Sequence, residues 1–124
     1  MKKLENHTFV IFGATGDLSK RKLIPGLFDL FIREFLPEKF LIIGCGRKNI
    51  SNQNFVNYSL RKNKHLINIK YIGMKSKIRE FEKYLRYFKI DPNNEGDFIK
   101  LKSFLYNHYK QKRIKNKNII FYFS

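Results

Sequence analysis

The chain has 124 residues with an apolar fraction of 43%, which suits one globular domain and excludes a disordered chain. No run of about 18 apolar residues could span a bilayer and the start lacks the apolar core of a signal peptide, so we predict a cytoplasmic protein without membrane contact. The net charge of +16 makes nucleic acid a candidate partner. The abundance of Lys, Asn, Ile, Phe and Tyr indicates that A+T-rich codon usage is the better explanation of this charge, because the charge is dispersed along the chain and no nucleic-acid motif accompanies it.

The first predicted element is a strand at residues 8–12, whose continuous apolar character is typical of a central parallel strand. The strand ends at Gly13, and Asp17 is then predicted to cap a helix with one apolar face. Pro25 is expected to kink or restart that helix, because proline has no N–H and crowds the preceding turn.

A second buried strand is predicted at residues 40–43, ending at Gly44, which completes a strand-helix-strand unit. Ser51 is predicted to cap a short helix, whereas residues 65–73 show no clear period. Residues 76–90 are ambiguous, because Ile78, Phe81 and Leu85 fit a helix whereas residues 84–90 also fit a strand, and we predict a helix followed by a strand.

Turn-forming residues at 91–97 break any helix, and Asp97 is predicted to cap the next one, which carries apolar residues at helical spacing from Phe98 to Leu105. Residues 118–124 have the composition of another buried strand. This alternation predicts an α/β fold, a Rossmann-like doubly wound parallel sheet of about four strands in the order 3-2-1-4.

The turn after the first strand has the features of a phosphate-binding turn. Gly13 can adopt the backbone angles of a tight turn, and Gly16 has no Cβ to block a pyrophosphate. Backbone N–H groups from Thr15 to Ser19 would point at the phosphates, aided by the helix dipole. Ser19 stands where the usual fingerprint has a third glycine, so the alternative is a purely structural corner. A P-loop is disfavoured, because no Gly-Lys-Ser/Thr follows.

The end of the second strand indicates which dinucleotide the turn would bind. NAD-binding folds tend to have an acidic residue there, whereas an arginine can pair with the 2′-phosphate of NADP. Arg47 stands at that place beside Lys48, and the turn at 44–50 contains no Asp or Glu. The sequence therefore favours NADP over NAD. The alternative is that Arg47 is an ordinary solvated loop residue.

Several segments are similar to glucose-6-phosphate dehydrogenases. Residues 13–25, Gly-Ala-Thr-Gly-Asp-Leu-Ser-Lys-Arg-Lys-Leu-Ile-Pro, resemble the opening signature of that family, and residues 36–47 resemble its next segment, where a strand ends in Gly-x-x-Arg. Residues 91–105 resemble the family's acidic turn and helix, and residues 120–123 its next strand. Between residues 49 and 84 the resemblance is faint.

The resemblance implies NADP as cofactor and the oxidation of glucose 6-phosphate to a lactone in the pentose phosphate pathway. It also implies a set of cofactor-binding residues: Gly13, Ala14, Thr15, Gly16, Asp17, Leu18, Ser19 and Lys20 at the pyrophosphate, Arg47 at the 2′-phosphate, and Asp91 with Pro92 at the adenosine edge.

The family's Arg-Ile-Asp-His-Tyr-Leu-Gly-Lys motif for sugar phosphate and catalysis does not occur in these 124 residues. The histidines, His7, His65 and His108, lack an Asp-His-Tyr context, so no catalytic residue is assigned. Residues 1–124 are thus expected to be a partial N-terminal NADP-binding domain, inactive alone and without the part that binds glucose 6-phosphate. A stand-alone NADP-sensing module is the alternative. The free edge of a four-stranded sheet would allow self-association or pairing with a complementing fragment.

Overall fold

The computed structural model describes residues 7–66, 73–114 and 118–123. Residues 1–6, residues 67–72 of the stretch without a predicted element, residues 115–117 and Ser124 of the predicted last strand lie outside the described residues. In chain order the elements are β1 (His7–Phe12), a first π-helical turn (Ser19–Leu23), α1 (Ile24–Ile32), β2 (Leu41–Gly46), α2 (Asn52–Val56), a second π-helical turn (Asn57–Arg61), α3 (Lys75–Glu82), β3 (Leu85–Lys89), α4 (Glu95–Gln111) and β4 (Asn118–Phe123).

The strands of the described chain form one parallel sheet in the order β3-β2-β1-β4. Phe9 of β1 lies opposite Ile42 of β2 on one side and opposite Ile120 of β4 on the other. Helices cover both faces, so the predicted Rossmann-like α/β sheet and its 3-2-1-4 order are confirmed. None of the helices built by the described residues has the length and apolar character that a bilayer crossing needs.

Alternate side chains of β1 enter different cores, as the pleat of a strand requires. Phe9 and Ile11 belong to the core that α1, α2 and α3 cover, where Phe28, Phe55 and Phe81 are fully buried. This larger core lies beneath the turn that follows β1, because Ala14 is also one of its buried members.

Val10 enters the second core, on the face that α4 covers with Leu101 and Leu105. At this face the buried Tyr109 hydroxyl donates to Oγ1 of Thr8 at 2.7 Å. A hydrogen bond between two buried hydroxyls satisfies both, and it ties the end of α4 to the start of β1.

β2 extends beyond its predicted end at Gly44 and includes Gly44, Cys45 and Gly46. A Cβ atom built on Gly44 would overlap the ring of Phe55 and approach the Cβ of Ala14 to 2.8 Å. Gly44 therefore does not end the strand; its missing side chain lets a buried ring pack directly on the strand backbone.

The first helix restarts at Pro25, as predicted. The N–H of Ile24 donates to the carbonyl of Ser19, one residue farther back than in an α-helix, and Pro25 then lies in the first turn of α1. Because proline has no N–H to give to the preceding turn, the wider π-helical turn accommodates it.

Two of the predicted helix caps are wrong. Asp17 lies within the first helical turn, where its carboxylate accepts a bond from Nε of Arg21 at 3.1 Å. Asp97 lies in the first turn of α4, and Asn94 caps that helix through its side-chain oxygen. The Asp97 carboxylate instead accepts the N–H of Asp91 at 2.9 Å.

Two further local predictions are confirmed. Oγ of Ser51 accepts the N–H of Asn54 at 3.0 Å and caps α2. The ambiguous stretch at 76–90 contains α3 followed by β3, in the predicted order.

The predicted burial of the last strand is wrong for its described part. Phe121 is 52% exposed and Phe123 is 80% exposed, and Ile120 and Tyr122 are also exposed. β4 pairs only with β1 in the described chain, and no described element covers its apolar side chains over much of its length. Composition identified a strand, but burial depends on neighbours that composition does not report.

Candidate functional site

The turn after β1 is fixed to the end of β2. Gly13 has a positive φ of 75°, a conformation that glycine adopts without strain. The N–H groups of Gly13 and Ala14 both donate to the carbonyl of Cys45, at 2.9 and 3.0 Å, and the N–H of Gly16 donates to the carbonyl of Gly13 at 2.9 Å. The turn is therefore fixed by backbone hydrogen bonds, two of them to β2 and one within the turn.

Other amides at the start of the helix have no described backbone partner. Among the described turn, loop and cap hydrogen bonds between backbone groups, none has the N–H of Thr15, Asp17 or Leu18 as its donor. These three residues are partly or fully exposed. Gly13 and Gly16 are exposed and present no side chain above them. Amides at a helix start beside bare backbone form a surface that suits a phosphate group.

Ser19 takes the place of the third glycine and is completely buried. Its Oγ has no hydrogen-bond partner among the described residues. A small residue at this point permits the close approach of helix and strand that the third glycine gives in the usual fingerprint.

Tyr58 supports the turn, and the sequence reasoning missed it. Its hydroxyl donates to the carbonyl of Thr15 at 2.8 Å, and Nζ of Lys20 lies 4.2 Å from the centre of its ring. Tyr58 thus orients the turn and also holds the ammonium group of Lys20 beside it. Only its place in the second π-helical turn brings it here, and no motif in the sequence signals that.

Asn63 is a second support that the sequence reasoning missed. It is fully buried, and its Nδ2 donates to the carbonyls of Lys20 and Ser59 at 2.8 and 2.9 Å. Its Oδ1 accepts the N–H of His65 at 3.0 Å. The side chain therefore satisfies a carbonyl of the first π-helical turn from a distant part of the chain.

Arg47 follows β2 directly and is exposed, and none of the described ion pairs includes it. The preceding residue, Gly46, lies beside the turn, since a Cβ built on it would be 3.6 Å from Oγ1 of Thr15 and 2.9 Å from the hydroxyl of Tyr87. That hydroxyl donates to the carbonyl of Lys48 at 2.7 Å. The backbone that carries Arg47 is thus anchored next to the glycine turn.

Asp91 and Pro92 lie at the same edge of the sheet, because the N–H of Ile90 donates to the carbonyl of Gly46 at 2.8 Å. The Asp91 carboxylate accepts the N–H of Asn93 at 3.0 Å, so it also shapes its own turn. Pro92 lines an apolar cleft of about 700 Å³ between α4 and β4. The structure therefore brings the glycine turn, Arg47 and the 91–92 turn to one edge.

Cys45 supplies the carbonyl that holds the glycine turn, and its thiol is buried. Burial raises the pKa of Cys45 to about 12, so the reactive thiolate is scarce at neutral pH. We expect no reaction of Cys45 with Ellman's reagent at pH 8 in the native chain and one thiol per chain to react in denaturant. Rapid labelling of the native chain would show that the core between α4 and the sheet, where Cys45 is buried, opens readily.

Comparison with known proteins connects this geometry to a family. The family model described as the NAD-binding domain of glucose-6-phosphate dehydrogenase matches residues 10–124. The chain belongs to this family. The glycine turn, Arg47 and the 91–92 turn all lie within the matched residues.

Relatives of glucose-6-phosphate dehydrogenase type align over almost the whole chain. The chain is 35% identical to the glucose-6-phosphate 1-dehydrogenase of Treponema pallidum over 119 residues, which are 95% of this chain and 22% of that protein. It is 34% identical to the enzyme of the same name from Schizosaccharomyces pombe, over 97% of this chain and 23% of that protein. The chain thus spans less than a quarter of the length of these relatives.

Solved structures of glucose-6-phosphate dehydrogenases have the same architecture. A glucose-6-phosphate dehydrogenase in complex with its substrate glucose 6-phosphate superposes with a TM-score of 0.87 at 27% identity, over 100% of this chain and 25% of that one. Glucose-6-phosphate 1-dehydrogenase from Mycobacterium avium gives a TM-score of 0.71 at 21% identity, over 95% of this chain and 23% of that one, which supports the fold alone.

Proposed function

We propose that this member of the glucose-6-phosphate dehydrogenase family binds NADP at the carboxyl edge of its sheet. The observation that carries the proposal is the glycine turn, where free helix-start amides lie beside the exposed Gly13 and Gly16. Residues Gly13 to Lys20 would hold the pyrophosphate, because their amides and bare backbone suit a phosphate chain.

Arg47 would select NADP over NAD. Its exposed guanidinium follows β2 at the position where the 2′-substituent of the adenosine ribose is recognised in this type of fold. A guanidinium can bind a phosphate through two parallel hydrogen bonds, whereas it gains little from a hydroxyl. Asp91 and Pro92 would border the adenosine on the β3 side.

In a dehydrogenase of the relatives' length, this cofactor would serve to oxidise glucose 6-phosphate, as the names of the relatives indicate. When bound, NADP supplies the hydride acceptor, and the residues described here supply its binding and orientation. His108 lies in α4 beside the start of β2, at the sheet edge opposite the glycine turn. We therefore assign it no part in this site.

We propose that β4 is the surface that further parts of a full-length dehydrogenase would contact. Phe121 and Phe123 are exposed and line the apolar cleft that Pro92 also borders. Exposed aromatic rings beside an unpaired strand edge form a surface that a further layer would bury. Self-association through the same edge is the competing arrangement and would make the molecular mass depend on concentration.

Replacing Arg47 by alanine tests the cofactor preference. The change should lower the affinity for NADP and for 2′,5′-ADP by about tenfold or more and leave the affinity for NAD unchanged, because only the first two nucleotides carry the 2′-phosphate. Isothermal titration calorimetry of the full chain with each nucleotide provides the measurement.

Arg33→Ala is the matched control, since Arg33 is exposed, pairs with Asp29 and lies just after α1. The carboxyl end of this helix faces the opposite edge of a parallel sheet from the glycine turn, so the control should leave all three affinities intact. Equal affinity of the unmodified chain for NADP and NAD would contradict the role of Arg47.

A further inference from the structure

A second cavity lies at the edge of the sheet where the strands begin, away from the glycine turn. Its volume is about 600 Å³. Its walls come from residues 38–41 around the start of β2, from Lys83, Tyr84 and Arg86 around the start of β3, and from the last two turns of α4 with the following Lys112. Because all strands are parallel, this edge is the opposite one from the carboxyl edge that carries Arg47.

The cavity is strongly cationic. Lys39, Lys83, Arg86 and Lys112 line it, and Glu38 is the one acidic residue among its described lining. None of the described ion pairs includes any of these four cations. Their charges therefore remain available to an anion.

Backbone carbonyls hold two of the cations in place. Nζ of Lys39 donates to the carbonyl of Lys112 at 3.0 Å, and Nη1 of Arg86 donates to the carbonyl of Leu85 at 2.8 Å. A carbonyl carries no net charge, so these bonds fix the side chains without neutralising them. Such preorganised cations lose little conformational entropy when a ligand binds.

Aromatic rings complete the walls. Phe40 and Tyr84 stack with their centres 4.1 Å apart, and Phe104 and His108 lie nearly parallel with centres 6.2 Å apart. Flat apolar faces beside free cations suit a ligand that combines a planar ring with an anionic group.

The titration of His108 reports the positive field. Burial first, and then the charges of Lys112 and Arg86, lower the pKa of His108 below its usual range. Glu38, Lys39 and Lys83 face the same cavity from the other walls. An anion bound among these groups would favour the protonated imidazole and raise that pKa, since binding and protonation are linked.

We propose that this cavity is a second ligand site, which takes a small phosphate ester of an aromatic compound and is separate from the cofactor turn. The phosphate would lie between Arg86 and Lys83, and the ring would contact Phe104 and Tyr84. The site needs no residue of the glycine turn, so it can be tested independently of NADP binding.

Phenyl phosphate, inorganic phosphate and phenol are the probes, each titrated into the full ¹⁵N-labelled chain by NMR. We expect phenyl phosphate to shift the amide signals of residues 39–41, 83–86 and 107–112 and the ring signals of His108, with those of residues 13–19 unchanged. Inorganic phosphate should bind about fivefold more weakly, because it lacks the ring contact, and phenol should show no saturation. Shifts scattered over surface lysines, or confined to the glycine turn, would overturn the proposal.

Substitution distinguishes a built site from the general positive charge of the chain. The double change Lys83→Gln and Arg86→Gln should lower the affinity for phenyl phosphate by about tenfold or more. It should also abolish the rise of the His108 pKa that phenyl phosphate causes in the unmodified chain. The control, Lys62→Gln with Lys64→Gln, removes the same charge from exposed residues outside the cavity lining and should change the affinity little. An equal loss in both double variants would show that net charge alone attracts the probe. The circular dichroism spectra of all variants should match, since every substituted side chain is exposed.

Discussion

Replacing Gly44 by valine should destabilise the chain by about 3 kcal/mol or more, because overpacking a filled core forces side chains and backbone apart. Any Cβ at Gly44 would overlap Phe55 and lie 2.8 Å from the Cβ of Ala14, and both neighbours are completely buried. Neither can move into solvent without opening the larger core. The midpoint of urea unfolding, followed by circular dichroism, measures the loss.

The same change should weaken nucleotide binding, since Ala14 is part of the glycine turn that Cys45 holds. Gly26→Ala is the matched control: a Cβ at Gly26 meets nothing within 4 Å, so alanine should stabilise α1 by about 0.5–1 kcal/mol. An unfolding midpoint for Gly44→Val equal to that of the unmodified chain would show that the ring of Phe55 does not pack on β2 as described.

Replacing Asn63 by aspartate, a change of almost no volume, should cost about 3 kcal/mol at neutral pH. Nδ2 of Asn63 donates to the carbonyls of Lys20 and Ser59, and a carboxylate would set a negative oxygen against both. Since Asn63 is fully buried, water cannot relieve the repulsion. Urea unfolding at several pH values measures the cost.

The loss should shrink as the pH falls. Burial and the two carbonyl oxygens favour the protonated acid, so the folded-state pKa of this aspartate lies above its unfolded value of about 3.9. Between these two pKa values the folded state binds more protons, and the variant therefore loses stability as the pH rises through that window. Below the unfolded pKa the difference from the unmodified chain should be smallest.

Asn57→Asp is the control for this experiment. The side-chain oxygen of Asn57 accepts a bond from Nε2 of Gln53 at 3.1 Å, and a carboxylate can accept the same bond. It should cost less than about 0.5 kcal/mol at any pH, as surface changes usually do. A cost for Asn63→Asp as small as this would contradict the buried network.

The order of elements could be predicted from the sequence because each strand and helix has its own periodicity. β1 and β2 each contain a continuous apolar run followed by glycines, which lie in a turn after β1 and within β2 itself, and these glycine-containing segments are also the sequence signal of the candidate site. Arg47 could be placed beside the turn because parallel strands bring their carboxyl ends to one edge.

The supports of the site could not be predicted in this way. Tyr58, in the second π-helical turn, and Asn63, just after it, are far along the chain from the residues they contact, Thr15 and Lys20. Gly44 was predicted to end a strand because glycine often follows the last residue of one, but here the ring of Phe55 fills the space of the missing side chain. The caps failed for a related reason: Asp17 and Asp97 have suitable side chains, and each is already bonded within the adjoining helix or turn.

The pairing of β1 with β4 also bears on how fast the fold assembles. His7 of β1 pairs with Asn118 of β4, so strands from opposite ends of the described chain must meet. Contacts between residues so far apart in the sequence form only after a long loop has closed, and folds rich in such contacts assemble slowly. We therefore expect β4 to join β1 late in folding, whereas β2 suffices to hold the glycine turn.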